Sequence, residues 1–211
     1  MIHRKAIPYL KRADPVMADV IRRVGAFKPG IAPEGSHFDA VVRSIVYQQL
    51  STKAASTIHG RLTGLFGDRP PLPHELSAMT DERLRGAGLS RQKIGYMRDL
   101  AERVVTGDVP ITTLHDLSDD EVIAALTRVK GVGKWTAQMF LMFKLRRPNV
   151  LPDLDLGIQK AIKLAYGLRK MPTPDRVRRI GAKWEPYCSI ASWYLWRSLD
   201  LPKEKQKPSK R

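Results

Sequence analysis

At Asp14, Ser36, Thr80, Ser90, Ser118 and Thr173 a short polar side chain stands directly before a run with helical apolar spacing. A side chain of this kind accepts a hydrogen bond from the unsatisfied backbone N–H groups of a first helical turn. The pattern therefore predicts helix after helix. Asp14-Pro15 opens a helix over 15–26, with proline at the first helical position. Ser36 with Asp39 and Ser118 with Glu121 resemble capping boxes, the second opening 119–129. Thr80 caps 81–88, Ser90 caps 91–105, and Thr173-Pro174 opens a further helix. Runs at 52–66, 135–145, 154–168 and 188–199 also carry helical spacing. The stretch 68–75, DRPPLPHE, reads as a loop. Only VPITTL (109–114) has β character, and it is too short to seed a sheet. The predicted class is all-α with short connections.

Composition narrows the function. Among 211 residues, 37 Lys plus Arg face 21 Asp plus Glu, a formal net charge of +16. Hydrophobic residues make up 43%, enough for a packed core and too many for a disordered chain. A basic surface binds nucleic acid by displacing counterions from phosphates. Part of the excess is local: 203–211, KEKQKPSKR, reads as a basic, disordered tail. No stretch approaches the roughly 20 apolar residues of a spanning helix, and the N-terminus has no apolar signal region. The chain reads as cytoplasmic, nucleoid-associated if bacterial, and monomeric, with no membrane partner. The single cysteine, Cys188, excludes an intramolecular disulfide and a cysteine-held zinc or iron–sulfur site.

Two segments carry chemistry. In LTRVKGVGKWTAQMFLMF (126–143) an apolar helical run meets Gly131-Val132-Gly133, and another helix starts at once. The glycines allow positive φ and close backbone approach. The N–H groups of such a turn, flanked by Lys130 and Lys134, suit a phosphate. On the glycine turn alone a plain helix connection that binds nothing is the better reading, and the flanking lysines with the basic balance bring the two level. In LPDLDLGIQKAI (151–162) Asp153 and Asp155 sit at a helix start. Asp153 is placed to be the N-cap and Asp155 one turn in. Two helix-start acids with only structural duties are the simpler reading of that segment by itself.

The hairpin VKGVGKWTA resembles that of the helix-hairpin-helix DNA glycosylase superfamily, and 151–162 resembles its catalytic-aspartate segment. Asp155 follows Gly133 at the spacing that family keeps. IVYQQLSTKAA (45–55) and WEPYCSIASWYLWR (184–197) match as well, the last resembling the 3-methyladenine DNA glycosylase II type. The resemblance spans roughly 36–197. It implies two helical lobes, 36–148 with the hairpin and 1–35 plus 149–200, with a cleft between them for double-stranded DNA bearing a damaged base. The N-terminal β-domain of larger relatives is expected to be absent. It implies Asp155 as the catalytic carboxylate and Trp135, Trp196, Met139 and Trp193 as base-pocket residues, Trp193 and Trp184 being also candidates for plain packing. Gly131, Val132, Gly133, Lys134 and Thr136 would hold phosphate. Gln49, with Gln48 or Leu50, would be the wedge that fills the gap left by an extruded nucleotide. Gln48 and Gln49 have an alternative duty, hydrogen bonding to backbone within their lobe, and for Gln48 the two readings are nearly level.

Members that also cut the DNA backbone carry a lysine two positions after the second glycine. Trp135 stands there, and Lys134 points about 100° away on a helix. The implied chemistry is hydrolysis by water, with no cofactor beyond a monovalent cation on hairpin carbonyls, and no metal held by side chains. The first functional reading is removal of alkylated purines such as 3-methyladenine or 7-methylguanine. The alternatives are a glycosylase for hypoxanthine, uracil or an oxidised base, and a non-catalytic DNA-binding module. Asp155 speaks against the last, because a phosphate clamp needs no acid there. Cys188 departs from the family arginine at its position, which leaves the packing around it open.

Overall fold

The computed structural model describes residues 3–30 and 34–202. Among these the secondary structure is helical and contains no strand. The basic tail over 203–211 lies outside the described residues. No described helix is long and apolar enough to cross a membrane. The chain divides into two compact units, Met1–Ile31 with Arg146–Arg211, and Ala32–Leu145.

The discontinuous unit holds α1 (His3–Ala13), α2 (Pro15–Val24), α10 (Leu156–Ala165), α11 (Pro174–Gly181) and α12 (Cys188–Leu199). Helix α12 packs on α10, α2 and α1. Leu10, Met17, Val20, Ile158, Ile162 and Leu195 form part of its core, with Trp184 and Tyr194 fully buried among them. Helix α1 has no counterpart in the sequence expectations, since it carries Pro8 internally and no acidic residue opens it.

Asp14 is the polar node of this core and is completely buried. Its Oδ1 accepts the Val16 N–H at 3.0 Å, capping α2 as expected. Its Oδ2 accepts the Trp184 indole N–H at 2.8 Å and the Tyr166 hydroxyl, and lies 3.3 Å from Lys183 Nζ. Burial raises the carboxyl's pKa, but the hydrogen bonds from Tyr166 and Trp184, the Lys183 charge and the Val16 N–H together hold it below its ordinary value. Asp14→Ala would strip a helix cap and leave buried donors unpaired, so we expect a loss of about 3 kcal/mol or more. Because the native pKa is depressed, the wild-type contribution is complete above the unfolded carboxyl's pKa and lost as pH falls through the native value. Thermal unfolding on both proteins down to acid pH should show the gap closing as pH falls.

The continuous unit holds α3 (His37–Tyr47), α4 (Thr52–Gly64), α5 (Pro73–Ala78), α6 (Asp81–Gly86), α7 (Arg91–Val105), α8 (Asp119–Thr127) and α9 (Lys134–Met139). Helix α7 is its spine, packing against α5, α3 and α6. Ile45, Leu62, Leu76, Leu84, Ile94, Met97, Leu100 and Leu114 are fully or almost fully buried. Ser36, Thr80, Ser90 and Ser118 cap their helices as the sequence predicts.

Two local expectations are corrected. The stretch 68–75 is not all loop, because α5 begins at Pro73, and the Glu75 carboxylate accepts the Leu72 N–H at 2.9 Å while pairing with Arg69. The helix expected over 135–145 changes character after Met139 and finishes as a π turn, Phe140–Lys144. The VPITTL segment forms turns that bury Val109, Ile111 and Leu114 and leads into a short 3-10 turn.

Candidate active site and nucleic-acid interface

The continuous unit builds the hairpin from α8, residues 128–133 and α9. Gly131 has φ 77°, and the Tyr96 ring lies where a side chain would be: an added Cβ would sit 2.2 Å from it. Only glycine fits both the left-handed backbone and the close approach. Gly133 differs from expectation. Its φ is −92°, it is the N-cap of α9, and a Cβ there would meet nothing within 4 Å. Val132 also differs: its side chain is buried and its N–H donates to the Val129 carbonyl at 3.0 Å, inside the turn. The N–H groups of Gly133, Lys134, Trp135 and Thr136 belong to the cap and first turn of α9, where no intrahelical acceptor exists. The Thr136 side chain is itself buried.

Contacts distant in sequence hold this turn. The Lys130 N–H donates to Asp99 Oδ2 at 2.9 Å, and Arg103 Nε donates to the same oxygen at 3.0 Å. Burial raises the Asp99 carboxyl's pKa, yet the Lys130 N–H and the Arg103 partner hold it low overall. The Gln48 side-chain amide donates to the Gly131 carbonyl at 2.8 Å. This is the backbone hydrogen bond that the sequence offers Gln48 as an alternative to a wedge. Lys93 donates to the Val46 and Gln48 carbonyls at 2.7 and 2.9 Å, closing the end of α3, and partial burial lowers its pKa. Between these anchors Gln49 is exposed at φ 57°, a left-handed backbone uncommon outside glycine, with Leu50 exposed beside it.

A cavity of about 590 Å³ opens between the hairpin and this loop. Trp135 and Met139, one helical turn apart on α9, share its wall with Tyr47, Gln48, Gln49 and Tyr96. Trp135 is 44% exposed, unusual for so large an apolar side chain.

The discontinuous unit presents the carboxylate. Asp155, not Asp153, is the N-cap of α10: its Oδ1 accepts the Ile158 N–H at 2.8 Å. The same oxygen accepts the Trp196 indole N–H at 2.9 Å. Asp153 is buried, pairs with Arg178, and receives Gln159 Nε2 on its backbone carbonyl at 3.1 Å. Its duty is to hold the loop. Ser189 latches the same loop from α12, accepting the Val150 N–H at 2.9 Å and donating to the Arg147 carbonyl at 2.7 Å.

The remaining aromatics of this unit pack. Trp193, partly buried, meets Phe27 edge-on at 4.8 Å and Tyr194 at 5.0 Å, the contacts of the packing alternative. Cys188 is buried, its thiol donating to the Gly181 carbonyl at 3.6 Å, and burial with the nearby Glu185 charge pushes its pKa up to about 12. A thiol so suppressed is inert packing.

Residues 42–186 match the model of the HhH-GPD superfamily of base excision DNA repair proteins, and the chain belongs to that family. It is 32% identical over 200 residues to DNA-3-methyladenine glycosylase 1 of Schizosaccharomyces pombe, covering 93% of this chain and 88% of that one. A putative DNA-3-methyladenine glycosylase of Bacillus subtilis is 33% identical over 78% of this chain, which spans 60% of that protein. The fold superimposes on the S. pombe 3-methyladenine DNA glycosylase in complex with abasic DNA with a TM-score of 0.84, covering 93% and 97% of the two chains at 32% identity. A DNA-3-methyladenine glycosidase from Bacillus halodurans gives 0.81 at 36% identity, covering 92% and 88%.

Proposed function

We propose that this protein is a monofunctional DNA glycosylase that extrudes alkylated purines of the 3-methyladenine and 7-methylguanine type and hydrolyses their N-glycosidic bond. The observation that carries the reading is Asp155, a carboxylate oriented by two N–H donors on one oxygen. The names of its relatives point to the same substrate class.

The chemistry follows from the damage. Methylation at N3 or N7 makes the purine a cation, so the departing base takes the bond electrons and leaves neutral, with no strong acid required. Positive charge develops on the sugar, and an ionised Asp155 stabilises it. Water adds to the anomeric carbon and gives up a proton, leaving an abasic site. Electron-rich faces favour a cationic base by stacking, and Trp196, hydrogen-bonded to the carboxylate, supplies one. In the continuous unit, Trp135 and Met139 line an apolar, aromatic cavity of their own.

The hairpin N–H groups of Gly133 through Thr136, with Lys134, would take DNA phosphate, and Gln49 with Leu50 at the loop tip would fill the vacated space. A monovalent cation on the hairpin carbonyls belongs to the same reading. The protein would act as a monomer on double-stranded DNA.

Position 135 is tryptophan, so no amine stands where a Schiff base would form. Alkylated duplex treated with the wild-type protein should yield strand breaks only after alkali, and borohydride should trap no covalent adduct. A borohydride-trapped adduct would establish lyase chemistry and end the monofunctional assignment. Trp135→Lys is expected to remain without efficient strand cleavage, since a reactive lysine also needs a lowered pKa and correct aim.

A further inference from the structure

Gly157 occupies the first turn of α10, two residues after Asp155. Glycine is among the poorest residues for a helix, and its φ here is not in the left-handed region, so backbone freedom does not explain it. The space above it does. A Cβ built at this position would lie 2.9 Å from Asp155 Oδ1 and 3.1 and 3.2 Å from Trp196 Cδ1 and Nε1. Such separations are below ordinary van der Waals contact, so the carboxylate, the indole, or both would have to shift.

We infer that Gly157 is a positioning residue for the glycosylase reaction: its missing side chain lets the Trp196 indole reach across the first turn and bond Asp155. Two N–H donors on Oδ1 converge from different elements, the Ile158 backbone of α10 and the Trp196 side chain of α12. Together they fix both the plane and the heading of the carboxylate. Losing the indole donor leaves the Ile158 cap in place and removes one of these two restraints on the heading of the carboxylate. A small misplacement of a reacting group lowers rate far more than it lowers affinity.

The inference rests on the glycosylase reading, and the experiment separates the two. Single-turnover base release from alkylated duplex at saturating enzyme is measured for the wild type, Gly157→Ala, Trp196→Phe, the double variant and Asp155→Asn. Affinity for abasic-analogue duplex and thermal unfolding are followed in parallel. Gly157→Ala and Trp196→Phe should each slow release by about tenfold to a hundredfold, as expected for a lost charge-assisted bond and its orientation. The double variant should be slowed by clearly less than the product of the two single effects, since both act on the same contact. Affinity for abasic-analogue duplex should hold, and Gly157→Ala should keep its melting temperature, because alanine suits a helix better than glycine. Wild-type rates for Gly157→Ala, multiplying effects in the double variant, or a loss confined to affinity or stability would overturn the inference. If Asp155→Asn is inert while Gly157→Ala is normal, the inference alone fails. If Asp155→Asn stays active, the reading beneath it fails.

Discussion

Asp155→Asn is expected to remove most base release while leaving folding and DNA affinity in place. Asparagine is a good N-cap, and its carbonyl oxygen can accept the same Ile158 and Trp196 N–H groups, so α10 should keep its start. What disappears is the negative charge opposite the developing sugar cation. Preorganised electrostatic groups of this kind are typically worth about 3–4 kcal/mol, roughly a factor of 10² to 10³ in rate. Asp153→Asn should behave differently. Asp153 is buried on Arg178, so its loss should lower stability and leave the chemistry of folded enzyme largely unchanged. Near-normal activity in Asp155→Asn beside an inert, folded Asp153→Asn would reverse the assignment.

Gly131→Ala is the second large effect. The substitution places a Cβ at φ 77° and 2.2 Å from the Tyr96 ring, so the turn or the ring must move. The left-handed backbone alone costs about 1–2 kcal/mol, and the collision adds to it. The turn would then leave its Asp99 and Gln48 anchors, and α9 would start in a displaced position. Binding to damaged and undamaged duplex should weaken together by roughly tenfold or more, because backbone N–H groups contact phosphate and read no base. Gly133→Ala should be mild, as its φ is ordinary and the space beside it is open. Fluorescence anisotropy on paired lesion and normal duplexes across a salt series measures this, and wild-type binding should fall steeply with salt. Lost discrimination with intact non-specific affinity would mean that the hairpin reads the base.

The capped helices were legible because a cap is a local event: Ser90 or Thr173 needs only the N–H groups three residues ahead. Helix α5 was hidden in a proline-rich stretch because its start depends on Glu75 and Arg69 and not on a capping hydroxyl or amide. The hairpin and the aspartate segment were visible through the resemblance their residues carry. What local sequence could not decide was the division of labour within them. Asp153 and Asp155 look alike until Arg178, far downstream, claims the first and Trp196 the second. Gly131 and Gly133 look alike until Tyr96 packs on one of them. Asp99, Lys93 and Tyr96 carried no signal, since each acts on the hairpin or loop across a long sequence separation. Gly157 did carry one, a glycine against helix propensity beside an expected catalytic acid.

The most direct measurement is chromatography of the bases released from methylated duplex DNA by the wild-type protein, with the remaining DNA assayed for alkali-labile sites. The account predicts free methylated purine, in amounts equal to the abasic sites formed, and none from unmethylated duplex. DNA bound but no base released would contradict it and leave a non-catalytic DNA-binding module. Release only from duplexes carrying uracil, hypoxanthine or an oxidised base would contradict the alkylpurine assignment.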